Sequence, residues 1–419
     1  MHVKTSTLWS PGQGYDTVLP AWATSGVPKR GMELVNLHEL GILPGIAGGA
    51  QSHGFHAADD IITQTADGRD LNQVWTDFMA LLNAVNGQRQ ALIGFLSTPV
   101  ANPLETVAQP GDGVEMEEAS EFGEPTGSRV EPTYFNIGYP FKWYDLGARY
   151  SWRYLADATT AMVESVANAA VEAYLRRQLK ELFRAIFNNV NTTATIRQQA
   201  YTVYRFYNND GVVPPTYKSN TFLGSHNHYR TSGAATIVAG DLDEMLDDFV
   251  SHGYGFENGY RTVVMVHRQE GDAIRGFRSV ANGGTGKYDF IPAQGQPGQI
   301  MAVNQQIIGQ TQPSNTLAGL NVIGSYGNAL IVQDDWMPAG YIVGFVTGGT
   351  DNLSNPVGLR QHSNASLRGL RLVKGRQANY PLIDSFWTAG YGFGVRHRGA
   401  GMVMQITASG SYTIPAAYA

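Results

Sequence analysis

Residues 155–188 read LADATTAMVESVANAAVEAYLRRQLKELFRAIFN, a run of 34 positions with no glycine or proline. Apolar side chains recur there at helical spacing, at Leu155, Met162, Val166, Ala169 and Ala173 and then at Leu175, Leu179, Leu182 and Ile186. Glu172 with Arg176, and Arg177 with Glu181, add charge pairs one helical turn apart. At a rise of 1.5 Å per residue, one helix over 155–188 would be about 50 Å long, a spine more than an element of a small domain. Its alanine-rich first half, with Ala167, Ala169, Ala170 and Ala173, lets a sheet approach closely.

Upstream, residues 98–149 have no helical period and too few apolar side chains for a core of their own. Connections longer than about 12–15 residues are uncommon and usually functional. The first half of this excursion carries Glu105, Asp112, Glu115, Glu117, Glu118, Glu121 and Glu124, with no Lys or Arg before Arg129. Its second half, 134–144, is aromatic and strand-like. Together they predict a two-stranded hairpin, and because an isolated hairpin is marginal in water it should lie on another surface. Before it, Asp70 is a natural N-cap for a helix whose apolar positions are Leu71, Val74, Trp75, Phe78, Leu82 and Val85, ending at Gly87. Residues 91–96 read as a short buried strand. Residues 1–69 are broken by Pro11-Gly12, Pro28, Pro44-Gly45 and Gly48-Gly49 and read as an arm.

Downstream of the spine the pattern mixes helix and strand. Residues 241–250 form an acidic amphipathic helix closed near Gly253, 262–267 a buried strand, and 268–278 a second helix weakened by Gly271. Residues 329–333 and 341–346 are strands joined by the turn-rich 334–340, and the tail alternates as strands over 395–398, 402–407 and 412–414. The fold class is α+β.

Composition narrows the function. The 419 residues include 29 basic and 35 acidic side chains, only 15% of the chain, and a net charge of −6. An average soluble chain is about 25% charged. With 43% hydrophobic residues, so little charge points to a surface covered largely by other subunits. Arginine outnumbers lysine 22 to 7, a bias toward planar, bidentate interface contacts. The acidic balance argues against a surface that grips nucleic acid all over, and the absence of cysteine removes disulfides, thiolate nucleophiles and Cys-ligated metals. Neither a signal peptide nor a membrane-spanning run is present, so the chain reads as soluble and made in a cytoplasm.

The chemical motifs are weak. His226-Asn227-His228 sets two imidazoles two residues apart, but no third ligand lies nearby in sequence, so it reads as a satisfied polar turn. Residues 283–288, GGTGKY, resemble a phosphate loop but have Ala281 in place of a glycine and no Ser or Thr after Lys287. Gly390-Tyr391-Gly392-Phe393-Gly394 suits a tightly packed strand better than a dinucleotide fingerprint. No nucleophile elbow or triad spacing stands out. Against the acidic loop stands a basic block, Arg360, Arg368, Arg371, Lys374, Arg376, Arg396 and Arg398, opposed only by Asp384. Opposite blocks on separate segments mark either a contact between copies or, for the basic one, contact with a packaged polyanion.

The order of elements, with the excursion 98–149, the spine helix 155–188, the stretch 331–344 (IVQDDWMPAGYIVG) and the tail from Phe393-Gly394-Val395-Arg396-His397-Arg398 to Tyr412-Thr413-Ile414-Pro415, resembles major capsid proteins of tailed bacteriophages with the Hong Kong 97-like fold, especially siphophages of actinobacteria. The resemblance implies an N-terminal arm (1–69), an extended E-loop hairpin (98–149), a peripheral domain (70–97, 150–200 and 346–419) and an axial domain (201–345). It implies pentamers and hexamers closing into an icosahedral shell around double-stranded DNA, in a virion built in the bacterial cytoplasm. Scaffolding protein, protease and portal would be assembly partners, and no membrane would be involved. Since residues 1–69 are Gly/Pro-rich where some relatives carry a charged helical scaffolding segment, a separate scaffolding protein is expected. Lys142 is the only lysine in 98–149, so no isopeptide bond from the loop tip is expected. No catalytic, cofactor or metal role is assigned. Glu115, Glu117, Glu118, Glu121 and Glu124, facing Arg360, Arg368, Arg371, Arg376, Arg396 and Arg398, are the candidate inter-subunit contacts. The alternatives are a nanocompartment shell of the same fold and a β-rich metal-dependent hydrolase using His226 and His228.

Overall fold

The apolar spacing after Asp70 becomes the buried face of the helix Leu71–Gly87, with Leu71, Val74, Phe78, Leu82 and Val85 inside and Trp75 half-buried. Asp70 caps it, its side chain accepting the N–H of Asn72 at 2.7 Å. The computed structural model describes residues 62–87, 91–112, 123, 134–196, 198–295, 312–375 and 384–419. Most of the arm, the five glutamates of the acidic loop tip and Arg376 lie outside the described residues.

The chain divides into two units, one drawn from Met1–Ile93, Phe141–Lys180 and Gln361–Tyr391, the other from Gly94–Pro140, Glu181–Arg360 and Gly392–Ala419. In the first, Phe78 packs on Trp387 with ring centroids 6.2 Å apart. The strand Lys142–Arg149 pairs antiparallel with Asp384–Val395, from Asp384↔Arg149 to Tyr391↔Lys142, and Leu370–Lys374 pairs on its other edge. Gly390 is there because a Cβ would come within 2.6 Å of the Phe141 ring, as the packed-strand reading requires.

Several expectations are corrected. Residues 91–96 are a helix, Ala91–Leu96, and the strand starts at Ser97. Leu92, Ile93, Phe95 and Leu96 are all buried, and a short run buried on every side has no periodicity to separate helix from strand. The spine is not one helix over 155–188 but two, Trp152–Asp157 and Thr160–Phe187. Ala158 turns extended, and both carboxylate oxygens of Asp67 accept the Thr160 N–H, at 3.0 and 3.1 Å, which caps the second helix from 93 residues upstream. Burial works to raise the Asp67 pKa, but hydrogen bonds from Thr65 and Thr160 outweigh it and hold the carboxyl below its ordinary value. The longer helix, 28 residues, spans about 42 Å.

The buried face of its first half is also rotated from the expected one. Val163, Glu164, Ala167, Asn168, Ala170 and Val171 are inside, whereas Met162 (47% exposed), Val166 (37%) and Ala169 face outward. The reason is a buried ion cluster, in which Arg69 pairs with Asp77 and lies 3.9 Å from Glu164. Polar residues with such partners can occupy a core face that apolar counting reserves for Met and Val.

The second unit is built on an eight-stranded sheet whose central strand, Arg261–Val266, is buried from Thr262 onward. Ala329–Gln333 lies parallel to it on one side and Tyr341–Thr347 antiparallel on the other, so the two strands joined by 334–340 flank the central strand and do not pair with each other. Leu320–Tyr326 extends one edge; Gly401–Gln405 and then Tyr229–Thr231 extend the other. The acidic helix, Ala239–Ser251, covers the sheet with Leu242, Met245, Leu246 and Phe249. Gly344 permits that approach, since a Cβ there would lie against Met245 and within 3.1 Å of Phe249. The second helix stops early, at Ile274, and 412–414 is irregular, with the Tyr412 hydroxyl donating to the Phe187 carbonyl.

The hairpin forms as Leu104–Ala108 against Tyr134–Gly138, in register Leu104↔Gly138 to Ala108↔Tyr134. It lies on this chain: Val107, Ile137 and Tyr139 close a small core with Val100, and Phe135 and Tyr204 pack against it. Gly138 rides over Gln199–Val203, where a Cβ would meet the Thr202 carbonyl at 2.8 Å.

Candidate functional site

The hairpin base is fixed by charge. Arg396 donates to both oxygens of Glu105, at 2.8 and 3.2 Å, and the Tyr139 hydroxyl donates to Glu105 at 2.9 Å. Burial raises the Glu105 pKa, but the hydrogen bond and charge of Arg396 outweigh it and hold the carboxyl below its ordinary range. Immediately after the first strand of the hairpin, buried Gln109 accepts the Arg398 N–H at 3.1 Å and donates to the Arg396 carbonyl at 3.2 Å. Arg360 donates to the Tyr139 carbonyl at 2.7 Å.

Arg398 is fully buried. Its Nη2 donates to Asp210 at 2.7 Å, its Nε to the Arg205 carbonyl at 2.9 Å, and its guanidinium sits 4.8 and 4.5 Å from the ring centres of Tyr204 and Tyr207. The structure therefore gives Arg396 and Arg398 partners within their own chain. In the other unit, Arg368 donates to the carbonyls of His362 and Ser363, and Arg371 lies 5.9 Å from the Trp143 ring centre.

The dyad His226/His228 acquires the further partners that its own segment lacks. Nε2 of His226 lies 2.9 Å from Nε2 of His228 and 2.8 Å from Nε2 of His252, and the last two are 3.0 Å apart. Oδ2 of Asp248 lies 3.2 Å from Nε2 of His228 and 3.7 Å from Nε2 of His226. Asp248 is in the last turn of the acidic helix and His252 is its C-cap, one turn on. Burial pushes the pKa of His226 down to about 4 and that of His252 to about 3, with the Arg230 and His226 charges adding, and it holds His228 well below its ordinary value. Burial raises Asp248 to about 6 against the pull of Arg230. The missed signal was Asp248-x-x-x-His252, a spacing that sets two side chains on one side of a helix end.

No family model and no curated protein sequence matches this chain. A solved structure of Mycobacterium phage Patience contains a chain 40% identical, over 89% of this chain and 98% of that one, with a TM-score of 0.67. This chain belongs to the phage major capsid proteins with the Hong Kong 97-like fold. It is a structural shell protein and a component of the virion. The capsid of a native GTA particle matches at 14% identity over 74% of this chain and 88% of that one, with a TM-score of 0.43. The holo-SrpI encapsulin complex from Synechococcus elongatus PCC 7942 matches at 14% over 76% and 88%, with a TM-score of 0.38. Matches this distant add nothing to the assignment. Among the described residues, no helix is long and apolar enough to cross a membrane.

Proposed function

We propose that copies of this capsid protein form pentamers and hexamers that close into an icosahedral shell around packaged double-stranded DNA, with no enzymatic role of their own. Synthesis in the bacterial cytoplasm and the help of a separate scaffolding protein, a protease and a portal belong to the same reading, as does the division into a peripheral domain (70–97, 150–200, 346–419) and an axial domain (201–345). The observation that carries it is the outward apolar stripe Met162, Val166 and Ala169 on the long helix, in a chain whose family builds shells. In the same unit Trp143 (46% exposed), Leu146 (47%) and Phe386 (38%) stand open on the paired strands. A solvated monomer has no use for such faces, whereas a neighbouring copy would bury them. Electron microscopy of the purified full chain should find closed shells or rings. Val166→Glu, at an exposed site, should leave the subunit folded and sharply reduce shell yield; wild-type yield from that variant would remove the stripe from the interface.

The acidic loop tip remains a proposed contact between copies. Arg396 and Arg398 are paired with carboxylates of their own chain, so the basic partners proposed for the loop are Arg360, Arg368, Arg371 and Arg376. One exposed pair is worth about 0.2–1 kcal/mol, but several repeated around a shell add up. Reversing Glu117, Glu118 and Glu121 to lysine should block assembly at low salt while the subunit stays folded. Normal shells from that variant, with poor genome packing from arginine variants, would assign the basic block to DNA.

A further inference from the structure

We propose that His226, His228, His252 and Asp248 form a structural site for one divalent transition-metal ion of the zinc class, which staples the 226–228 segment to the end of the acidic helix. Four donors at about 2.0–2.2 Å from a tetrahedral zinc lie about 3.3 Å from one another. Five of the six separations, 2.8, 2.9 and 3.0 Å among the nitrogens and 3.2 and 3.7 Å from the carboxylate to His228 and His226, bracket that value. All four donor atoms fall within 4.8 Å of one another.

Proton accounting points the same way. His228 Nδ1 lies 2.6 Å from the Gly401 carbonyl, which only accepts, so Nδ1 carries the hydrogen and Nε2 turns a lone pair inward. A ring hydrogen-bonded outward on one nitrogen to a backbone carbonyl is how metal-bound imidazoles are oriented. Three Nε2 atoms within 3.0 Å of each other cannot be paired off by N–H···N bonds, because each neutral ring has one hydrogen and each inward nitrogen has two others in reach. A shared cation satisfies all three lone pairs at once. The carboxylate agrees: Oδ1 of Asp248 faces Arg230 at 3.4 Å, whereas Oδ2, toward the imidazoles, is buried with no hydrogen-bond partner. The positive charge of Arg230 is itself answered by Glu244.

The surroundings are built and not incidental. His252 is held between Phe222, stacked at 4.1 Å and 1°, and Tyr207, stacked at 5.5 Å and 10°. His226 also lines a surface cleft of about 400 Å³ with Phe222, Ser225 and Arg230, which gives an ion a way in. Three imidazoles and a carboxylate suit zinc and its borderline neighbours better than calcium or magnesium, which take oxygen donors. Four protein ligands leave no open position, so the site is structural and not hydrolytic.

The test uses the full-length protein, incubated with zinc and desalted, with metal counted by mass spectrometry. We expect about one zinc per chain, and cobalt in its place should give the visible absorption of a four-coordinate ion. His226→Gln, at the cleft, and His252→Phe, which keeps the aromatic sandwich, should each reduce bound zinc at least tenfold with unchanged circular dichroism. Chelator should lower the melting temperature of the wild type and not that of His226→Gln. Wild-type protein that keeps no stoichiometric zinc, or folded variants that keep as much as wild type, would overturn the site.

Discussion

Arg398→Met should destabilise the subunit by about 3–5 kcal/mol, the cost of removing one partner from a buried ion pair. Asp210 would be left facing an apolar side chain where a guanidinium stood at 2.7 Å, and the Arg205 carbonyl would lose its donor. Tyr204 and Tyr207 would lose the cation between them. Arg398→Lys should rescue little, since an ammonium has neither the planar fork to reach Asp210 and the Arg205 carbonyl together nor a face to lay on the rings. The measurement is urea unfolding of the full chain under conditions where it stays unassembled. Arg368→Met is the control, because Arg368 is only half-buried and donates to two carbonyls, one of them exposed, and it should shift stability by no more than about 0.5 kcal/mol. If Arg398→Met unfolds at the same urea concentration as that control, the clamp is worth nothing to the fold.

Arg398 also marks what the sequence could and could not tell. The elements that depend on local chemistry are legible: the capped helix after Asp70, the buried strand at 261–266, the acidic helix, and the hairpin, whose aromatic second half has the right residues. Other elements are set by partners far along the chain. Asp67 decides where the long helix starts, and Arg69 with Glu164 decides which side of it is buried. A count of arginines between 360 and 398 registers charge but not direction, and two of them point inward because Asp210 and Glu105, 188 and 291 residues away, wait for them. The histidine cluster follows the same logic. His226 and His228 are visible as a pair, while the groups that give them a chemical purpose arrive from the next helix, by a fold that no spacing rule records.

The ion pair at the hairpin base predicts a pH response of defined sign. Glu105 has its folded pKa held below the ordinary 4.5, so its contribution is fully present above that value and is lost as pH falls through the lower folded pKa. His397 lies beside it, with Nε2 3.0 Å from Arg396 Nη1 and Nδ1 3.3 Å from the Tyr254 hydroxyl. Burial pushes that imidazole from 6.5 down to about 4, with the Arg396 charge adding and the Leu353 carbonyl opposing. The unfolded chain therefore takes up a proton that the folded one refuses, and this stability is lost between about 6.5 and 4. The base should loosen in two stages on acidification, first through His397 and then through Glu105. Hydrogen exchange at the amides of Leu104–Ala108 and Tyr134–Gly138, corrected for the intrinsic rate, reads this locally. Glu105→Gln should remove the lower stage and leave the upper one, with a loss at pH 7 of about 1.5–3 kcal/mol, the range for hydrogen bonds to charged groups. Arg396→Glu alone should open the base at every pH, and Arg396→Glu with Glu105→Arg should recover part of the protection, because the pair is then reversed and not removed. If Glu105→Gln protects the hairpin amides at pH 7 as well as the native carboxylate does, the pair does not anchor the hairpin, and the packing of Val107, Ile137 and Tyr139 holds it unaided.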